Sequence, residues 1–130
     1  MTSTCLPAAR PWPNTLLALL LMVPSGALSN RALAQPQALP FSQTKAANLA
    51  RMRAESLHGG VSNYRPDRCM YTTGAPDCLV DSTDKGYVFR FRGGPPGWQQ
   101  RNPPDPTVIT TVTVSADGET IRDVRNRTLP

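Results

Sequence analysis

The side chains that most often act as nucleophiles, general bases or metal ligands are scarce in this chain of 130 residues, which has one histidine and three cysteines. The single histidine, His58, precedes Gly59 and Gly60, an order typical of a residue that caps the C-terminus of a helix. Nucleophilic catalysis needs a base beside the nucleophile, and the only glutamates, Glu55 and Glu119, do not lie in an apolar context. The sequence therefore predicts no catalytic residue, no metal site and no cofactor, and indicates a protein that is not an enzyme.

The start of the chain has the features of a secretory signal. A weakly basic segment with Arg10 leads into an unbroken apolar run, residues 16–23, and small residues follow. Two positions suit cleavage, after Ser29 or after Ala34, and the alanines before the second position favour it. A transmembrane anchor needs about 20 apolar residues, which this run does not supply. We therefore expect residues 1–34 to be a cleavable signal peptide, the chain to be exported to the periplasm or the extracellular space, and the mature chain to have no stable membrane span.

Removal of that signal changes both the charge and the cysteine count. The chain has 14 basic and 9 acidic residues, a net charge of +5, and residues 1–34 hold two arginines and no acid, so the mature chain carries +3. Cys5 is removed as well, which leaves Cys69 and Cys78. One pair in an oxidising compartment predicts a disulfide bond, which stabilises a ring of this size by roughly 2–3 kcal/mol. A redox or metal pair is the alternative, but the C-x-x-C spacing and a nearby histidine are missing.

Arginines alternate with aromatic residues in a predicted strand over residues 86–92. Arg90 and Arg92 share one face, and the aromatic side chains share the other. Further arginines follow near the C-terminus, and the whole set could line one outer sheet face: Arg90, Arg92, Arg122, Arg125 and Arg127. Proteins that bind single-stranded nucleic acid place stacking aromatic residues beside such charges, whereas here they alternate to the opposite face. We therefore expect no nucleic-acid partner, and a basic face that is solvated or has weak affinity for an anionic envelope surface.

A long segment rich in proline and glycine, residues 93–106, joins two predicted strands; five of its residues are proline and three are glycine. Hairpin links usually have about 2–5 residues, and longer loops are often functional or disordered. Trp98 is its one large apolar side chain, and Arg101 lies nearby. In one interpretation the loop is a docking surface for an unidentified protein, with Trp98 at its centre. In the other, Trp98 folds back over an open edge of a small core.

One helix must position these side chains. Residues 35–41 are expected to form a short flexible arm, and Ser42 to cap a helix over residues 43–57, which contains no proline or glycine. Its apolar face is mostly alanine and should lie against a sheet. The residues of this predicted face are Ala46, Leu49, Ala50, Ala54 and Leu57. The opposite, solvent-facing side is predicted to carry Asn48, Arg51 and Glu55.

The remaining elements are predicted to be strands. Short extended segments are expected at residues 61–64 and at residues 79–80. Residues 107–114 have the strongest strand pattern by their β-branched content, and Asp117-Gly118 predicts a hairpin. The partner strand contains two apolar residues an odd number of positions apart, which regular alternation places on opposite faces. Either the strand bulges or one of the two faces outward. These two residues are Ile121 and Val124.

Together these elements predict an α+β domain over residues 42–127. One N-terminal helix packs on an antiparallel sheet of three or four strands, closed by one disulfide. Its predicted core consists of Leu49, Leu57, Tyr87, Phe89, Phe91, Val108, Val112 and Val114.

Several segments resemble uncharacterised small exported proteins of cyanobacteria, over most of residues 41–125. They are Leu57-His58-Gly59-Gly60, Cys69-Met70-Tyr71, Asp77-Cys78-Leu79-Val80 and the run from Gly86 to Trp98. The resemblance implies an exported protein and carries over no catalytic residue. The order of helix, glycine and strand with a late hairpin is also similar to a single PepSY unit or half of a cystatin. The cysteine loop and the proline-rich segment depart from both, which leaves an inhibitory role unsupported.

These observations favour a non-enzymatic binding or accessory domain. The candidate binding residues are Trp98, Arg101, Arg90 and Arg92, and the expected partner is an unidentified protein or an anionic envelope surface. One alternative is a structural envelope protein without a discrete ligand. A small secreted enzyme is a further alternative, and it would require a pocket holding at least two titratable side chains.

Overall fold

A computed structural model describes residues 38–130. The predicted signal peptide, residues 1–34, and the first three residues of the predicted arm lie outside the described residues. Residues 38–40 have no regular structure, and Phe41 already belongs to the helix. No helix within residues 38–130 is long and apolar enough to cross a membrane.

Within the described residues, one α-helix precedes five strands and three short 3-10 helices are interspersed. The helix α1 covers Phe41–Leu57, and the strands are β1 (Arg65–Pro66), β2 (Leu79–Thr83), β3 (Gly86–Gly94), β4 (Val108–Val114) and β5 (Ile121–Thr128). The 3-10 helices cover Arg68–Tyr71, Pro76–Cys78 and Trp98–Gln100.

Strand β3 lies inside an antiparallel sheet and pairs on both sides. β4 pairs with one side of it, and β5 pairs with the far side of β4. Two short strands share the other side of β3: β1 lies opposite Gly93 and Gly94, and β2 lies opposite the stretch from Gly86 to Phe89. The predicted α+β fold is confirmed, but the sheet has five strands rather than three or four, because one edge of β3 is divided between two separate strands.

Six of the eight predicted core residues are buried on the sheet face that α1 covers: Tyr87, Phe89, Phe91, Val108, Val112 and Val114. Leu49 is half-buried against this core. The prediction is wrong for Leu57, which is 43% exposed. Because α1 buries side chains no larger than alanine over most of its contact, the helix can lie close to the sheet.

The buried face of α1 is turned away from Leu49 and Leu57 relative to the prediction. Its buried residues are Gln43, Ala46, Ala47, Ala50, Ala54 and Glu55. The cause is the segment around the disulfide, which covers the flank of the helix that the sequence pattern assigns to solvent. There Gln43 Nε2 donates to the Gly74 carbonyl at 2.9 Å, and the Tyr71 hydroxyl donates to Glu55 Oε1 at 3.2 Å.

The predicted cap at Ser42 is wrong. Pro40 occupies the N-cap position without a side-chain hydrogen bond, and Ser42 lies inside the first turn. The Ser42 hydroxyl instead lies 2.6 Å from the Tyr87 hydroxyl on β3. Ser42 therefore ties the start of the helix to the sheet.

The segment after the helix differs from the predicted strand at residues 61–64. Gly59 and Gly60 both have positive φ, and the N–H groups of Asn63 and Tyr64 donate to the Gly60 carbonyl at 3.0 Å each. These bonds form a turn, so the strand starts later, at Arg65. Pro66 can belong to β1 because a proline is tolerated on an edge strand.

The predicted disulfide is confirmed: Cys69 and Cys78 are bonded, with their Cα atoms 5.7 Å apart. The predicted hairpin at Asp117-Gly118 is also present, with Gly118 at a φ of +77°. A bulge in β5 lets Val124 lie opposite Val112 and Ile121 opposite Val114. The parity conflict between the two apolar residues is thus resolved by the bulge.

Candidate functional site

The outer face of the sheet, opposite α1, carries a regular array of arginines. Side chains alternate along β3, so the buried Phe89 and Phe91 are followed by the exposed Arg90 and Arg92. Strand register brings further arginines alongside: Arg90 lies opposite Thr111, which lies opposite Arg125, and Arg92 lies opposite Ile109, which lies opposite Arg127. We call Arg90, Arg92, Arg125 and Arg127 the arginine face.

Backbone geometry sets the spacing of the arginine face. Two residues along a strand span about 6.6 Å, and two strand spacings amount to about 9.6 Å. The four residues therefore stand at the corners of a rectangle, with Thr111 and Ile109 between them. All four are exposed. Arg122 falls at the bulge in β5 and has no paired residue on β4, so it stands outside this rectangle.

Two carboxylates form ion pairs with arginines of this face. Arg92 Nη2 is 3.5 Å from Asp67 Oδ2, and Arg125 Nε is 2.7 Å from Asp123 Oδ2. Exposed ion pairs of this kind contribute only about 0–1 kcal/mol. Within residues 38–130, no carboxylate oxygen lies within 4.0 Å of a side-chain nitrogen of Arg90 or Arg127. The face therefore presents guanidinium groups to solvent, which suits an anionic partner.

The disulfide segment forms one border of this face. A depression of about 220 Å³ lies beside Arg90 and Arg92 and is lined also by Asp67, Cys69 and Asp77. Because the disulfide fixes Cys69 and Cys78, it also holds the neighbouring aspartates beside the arginines. These aspartates repel an anionic ligand at the β3 edge. Such a ligand would therefore reach the arginine face more easily from the side of β4 and β5.

The proline-rich segment folds back on the domain. Trp98 is 2% exposed, and its indole N–H donates to the Arg65 carbonyl at 2.8 Å. Gln99 Nε2 donates to the Pro66 carbonyl at 3.0 Å. Of the two interpretations of this segment, the structure shows Trp98 in the position of a cover over the β1 edge.

Of the two loop residues predicted to bind, neither lies in the arginine rectangle. Arg101 pairs with Asp105 within the loop, at 2.7 Å. Trp98 contacts the rectangle only through Arg92, whose guanidinium carbon is 5.9 Å from the indole ring. The structure therefore brings Arg90 and Arg92 together with Arg125 and Arg127, while binding through Trp98 and Arg101 stays a prediction.

A second polar cluster lies at the C-terminal end of α1. The His58 ring stacks on the Tyr64 ring with centroids 4.4 Å apart. His58 Nε2 and the Tyr64 hydroxyl are buried and lack a hydrogen-bond partner within the described part of the chain. Burial raises the pKa of Tyr64 above its ordinary value.

A pocket of about 300 Å³, the His58–Tyr64 pocket, opens beside these rings. Its lining consists of His58, Asn63, Tyr64, Gly94, Pro95, Thr107, Val108, Asn126 and Thr128. Amide and hydroxyl groups dominate it, and the lining includes neither a carboxylate nor a thiol. The pocket can therefore form hydrogen bonds with a small polar group, but it does not pair a nucleophile with a carboxylate base.

Sequence reasoning missed this pocket because its parts come from separate turns and strand ends. The one local signal is Gly93: a Cβ built there would lie 2.1 Å from the Tyr64 hydroxyl oxygen. The glycine therefore makes room for the tyrosine ring on the inner face of β3. The pattern of alternating residues in β3 does not reveal which side chain fills that room.

The expectation that Glu55 faces solvent is also wrong, since this residue is 7% exposed. Its carboxylate accepts hydrogen bonds from Arg51 Nη1 at 3.2 Å and from the Tyr71 hydroxyl. The Arg51 guanidinium also lies over the Tyr71 ring, 5.2 Å from its centroid. The three groups satisfy one another, which identifies this cluster as a link between the helix and the disulfide segment.

Neither a metal centre nor a relative adds to this description. Among residues 38–130, no three histidine, cysteine, aspartate or glutamate side chains are grouped so that they could hold a metal ion. No family model matches the chain, and searches of curated proteins and of solved structures return no match. The arginine face and the His58–Tyr64 pocket are therefore the features on which a functional proposal can rest.

Proposed function

We propose that this chain is an exported, non-enzymatic binding domain that holds an anionic partner on its arginine face. The observation that carries the proposal is the strand register, which places Arg90, Arg92, Arg125 and Arg127 in one exposed rectangle. The opposite sheet face is occupied by α1 and contributes the core. The domain thus uses one face for stability and leaves the other for binding.

Guanidinium groups on a sheet suit carboxylate or phosphate recognition. Arginine is charged at any physiological pH and donates paired hydrogen bonds to carboxylates and phosphates. Because the positions of the four residues are fixed by the strands, only the side-chain ends need to be ordered when a partner binds, which limits the entropic cost. A partner with several regularly spaced negative charges matches this arrangement better than a single small anion.

Two features support export. The Cys69–Cys78 disulfide is of the kind that persists in oxidising compartments. It also closes a segment that packs on α1 and the sheet, so that a small domain gains stability from it. Together with the signal-like residues 1–34, this supports a protein that acts outside the cytosol.

The binding test uses two polyanions, polyglutamate and vesicles of phosphatidylglycerol mixed with phosphatidylcholine. The affinity of the oxidised protein for each is measured at low and at high salt. We expect binding that weakens as salt rises, because exposed charges are screened. The double variant Arg90→Glu/Arg125→Glu should bind at least about tenfold more weakly, a change of ~1.4 kcal/mol.

A matched control reverses two charges elsewhere. Arg53 on α1 and Lys85 in the turn before β3 are both exposed, and Arg53→Glu/Lys85→Glu alters net charge by the same amount. This control should bind within about twofold of the wild type if the arginine face is the site. Equal losses in the two double variants would reduce the effect to net charge and contradict the proposal, and so would failure of the wild type to bind either polyanion at low salt.

A further inference from the structure

Strand β5 is an edge strand of the sheet formed by the described residues, and it lies beside the arginine face. It pairs with β4 on one side, and no strand within residues 38–130 pairs with its other side. An unpaired edge presents a row of backbone N–H and C=O groups that can pair with another extended chain. β5 has eight residues, long enough to hold a short peptide.

The hydrogen bonds at both ends of the hairpin show which groups are free. The Leu129 N–H donates to the Thr107 carbonyl, and the Ser115 N–H donates to the Thr120 carbonyl. Because bonding direction alternates along an antiparallel strand, Arg125 and Arg127 point their backbone groups towards β4. The backbone groups of Val124, Asn126 and Thr128 therefore point away from the sheet.

Side chains on the two faces of β5 differ in chemistry. Arg125 and Arg127 belong to the outer face, whereas Asn126 and Thr128 lie on the inner face and line the His58–Tyr64 pocket. A strand added to this edge would alternate in the same way, because residues directly opposite each other share a face. Its outward side chains would lie beside the two arginines, and its inward side chains would lie beside the pocket.

The net positive charge of β5 determines which kind of chain can pair with its edge. β5 carries Arg122, Arg125 and Arg127 against the single acid Asp123, so two copies of this strand repel each other. Charged residues of this kind protect natural sheet edges from self-pairing. An acidic segment has the opposite preference, because its carboxylates meet guanidinium groups at close cross-strand distance.

The inner-face pocket adds a preference for an amide side chain. The exposed side chains of Asn63, Asn126 and Thr128 line the pocket. Glutamine and asparagine carry a donor and an acceptor in one group, which matches these amide and hydroxyl groups. A pocket of about 300 Å³ is large enough for one such side chain.

We propose that β5 binds an extended acidic peptide by strand addition, with carboxylates beside Arg125 and Arg127 and an intervening amide side chain in the His58–Tyr64 pocket. This inference rests on the proposed function, since it specifies the anionic partner as a peptide. Main-chain hydrogen bonds supply affinity in this mode of recognition, and alternate side chains supply specificity.

The probe is a short, capped, fluorescein-labelled peptide in which glutamate alternates with glutamine, and binding is measured by fluorescence anisotropy. In an antiparallel pair, two directly opposite residues point their backbone groups either towards each other or both away. Antiparallel addition therefore makes the glutamines the residues whose backbone groups face β5. N-methylation of the glutamine residues should therefore weaken binding at least about tenfold, because each methyl group removes a donated hydrogen bond. N-methylation of the glutamate residues instead should change affinity by less than about twofold, since those N–H groups point to solvent.

Variants of the protein test the charged contacts. Arg125→Glu/Arg127→Glu should weaken binding of the unmodified peptide at least about tenfold, and a lysine–glutamine peptide should not bind. The Arg53→Glu/Lys85→Glu control should leave the affinity within about twofold of the wild type.

Three results would overturn the strand-addition proposal: equal effects of the two N-methylation patterns, no binding of the peptide, or a dimer of the protein, paired through β5, that the peptide does not disrupt. Binding to polyglutamate or anionic vesicles through the arginine face would survive each of them, so failure of the strand model is distinguishable from failure of the proposed function.

Discussion

The two faces of the sheet are built from alternate residues of the same strands, yet they have opposite surroundings. On the inner face, Phe89 and Val112 are fully buried under α1. On the outer face, which α1 does not cover, their chain neighbours Arg90 and Thr111 stand in an arginine array whose four arginines are exposed. One residue along the chain therefore separates a side chain that contributes to the core from one that is exposed to solvent.

This difference matters because it separates the residues that determine stability from those that determine surface chemistry. Substitutions on the inner face change the free energy of unfolding, since they create cavities or overpack a dense interior. Substitutions on the outer face change charge and contact chemistry at little cost in stability. The chemistry of the outer face can consequently change without disturbing the core.

The largest difference between the two faces is expected for the neighbouring substitutions Phe89→Ala and Arg90→Ala. Phe89 is fully buried, so its truncation should lower the free energy of unfolding by about 3–5 kcal/mol. Arg90→Ala should change it by at most about 0.5 kcal/mol. Urea denaturation of both variants measures the difference, and similar losses in the two would show that the outer face is packed in solution.

A second test concerns Gly93, the inner-face position of β3 that has no side chain and against which the Tyr64 ring packs. A Cβ on Gly93 would lie 2.1–2.3 Å from atoms of the buried Tyr64 ring. Gly93→Ala should lower the free energy of unfolding by about 3 kcal/mol through overpacking. In the double variant Gly93→Ala/Tyr64→Ala, the total loss should be smaller than the sum of the two single losses, because the second substitution removes the clash. Additive losses would argue against the ring lying on Gly93.

A third test concerns the helix that covers the inner face. Ala50 is fully buried, and Ala50→Leu should cost about 1–2 kcal/mol because the helix must move away from the sheet. The matched control Asn48→Leu introduces the same leucine side chain on the exposed side of α1, and it should leave the free energy of unfolding nearly unchanged. Thermal unfolding measures both, and a stabilising Ala50→Leu would reveal unfilled space under the helix.

The sequence predicts those structural features that follow a repeating pattern of apolar and polar residues. Alternation in β3 and β4 predicts which residues face inward, and the outcome confirms Phe89, Phe91 and Val112. The Asp117-Gly118 turn predicts the hairpin that brings β5 beside β4. Arg125 and Arg127 can be expected on an outer face, but their alignment with Arg90 and Arg92 depends on the bulge, which parity alone does not locate.

The features that could not be predicted arise where segments without a repeating pattern pack on one another. Helical periodicity places Leu57 on the buried face of α1 and Glu55 on the exposed face, and both placements are wrong. The disulfide segment covers the Glu55 flank through Tyr71 and Gly74, and its conformation has no sequence period. The contact between Tyr64 and Gly93 likewise joins a turn to a strand end, and only the folded chain brings them together.

The smallest expected effect lies at the β4–β5 turn, where the two faces end. Asp117 Oδ1 accepts hydrogen bonds from the Ser115 hydroxyl and from the Glu119 N–H. The hydrogen bond from Ser115 has the larger effect, and together the two bonds hold the pKa of Asp117 below its ordinary value. The folded chain therefore binds a proton at Asp117 less readily than the unfolded chain does, and stability falls as protons are added.

The contribution of Asp117 is accordingly present above the ordinary carboxylate range, near pH 4, and is lost as the pH falls through the lowered pKa of the folded state. Urea midpoints between neutral pH and about pH 3 should fall less in Asp117→Asn than in the wild type. Ser115→Ala removes the first donor and should flatten the same region in part, whereas variants of the outer face that keep this turn intact should not. If both turn variants retained the acid dependence of the wild type, the hydrogen-bonded turn would contribute nothing to it.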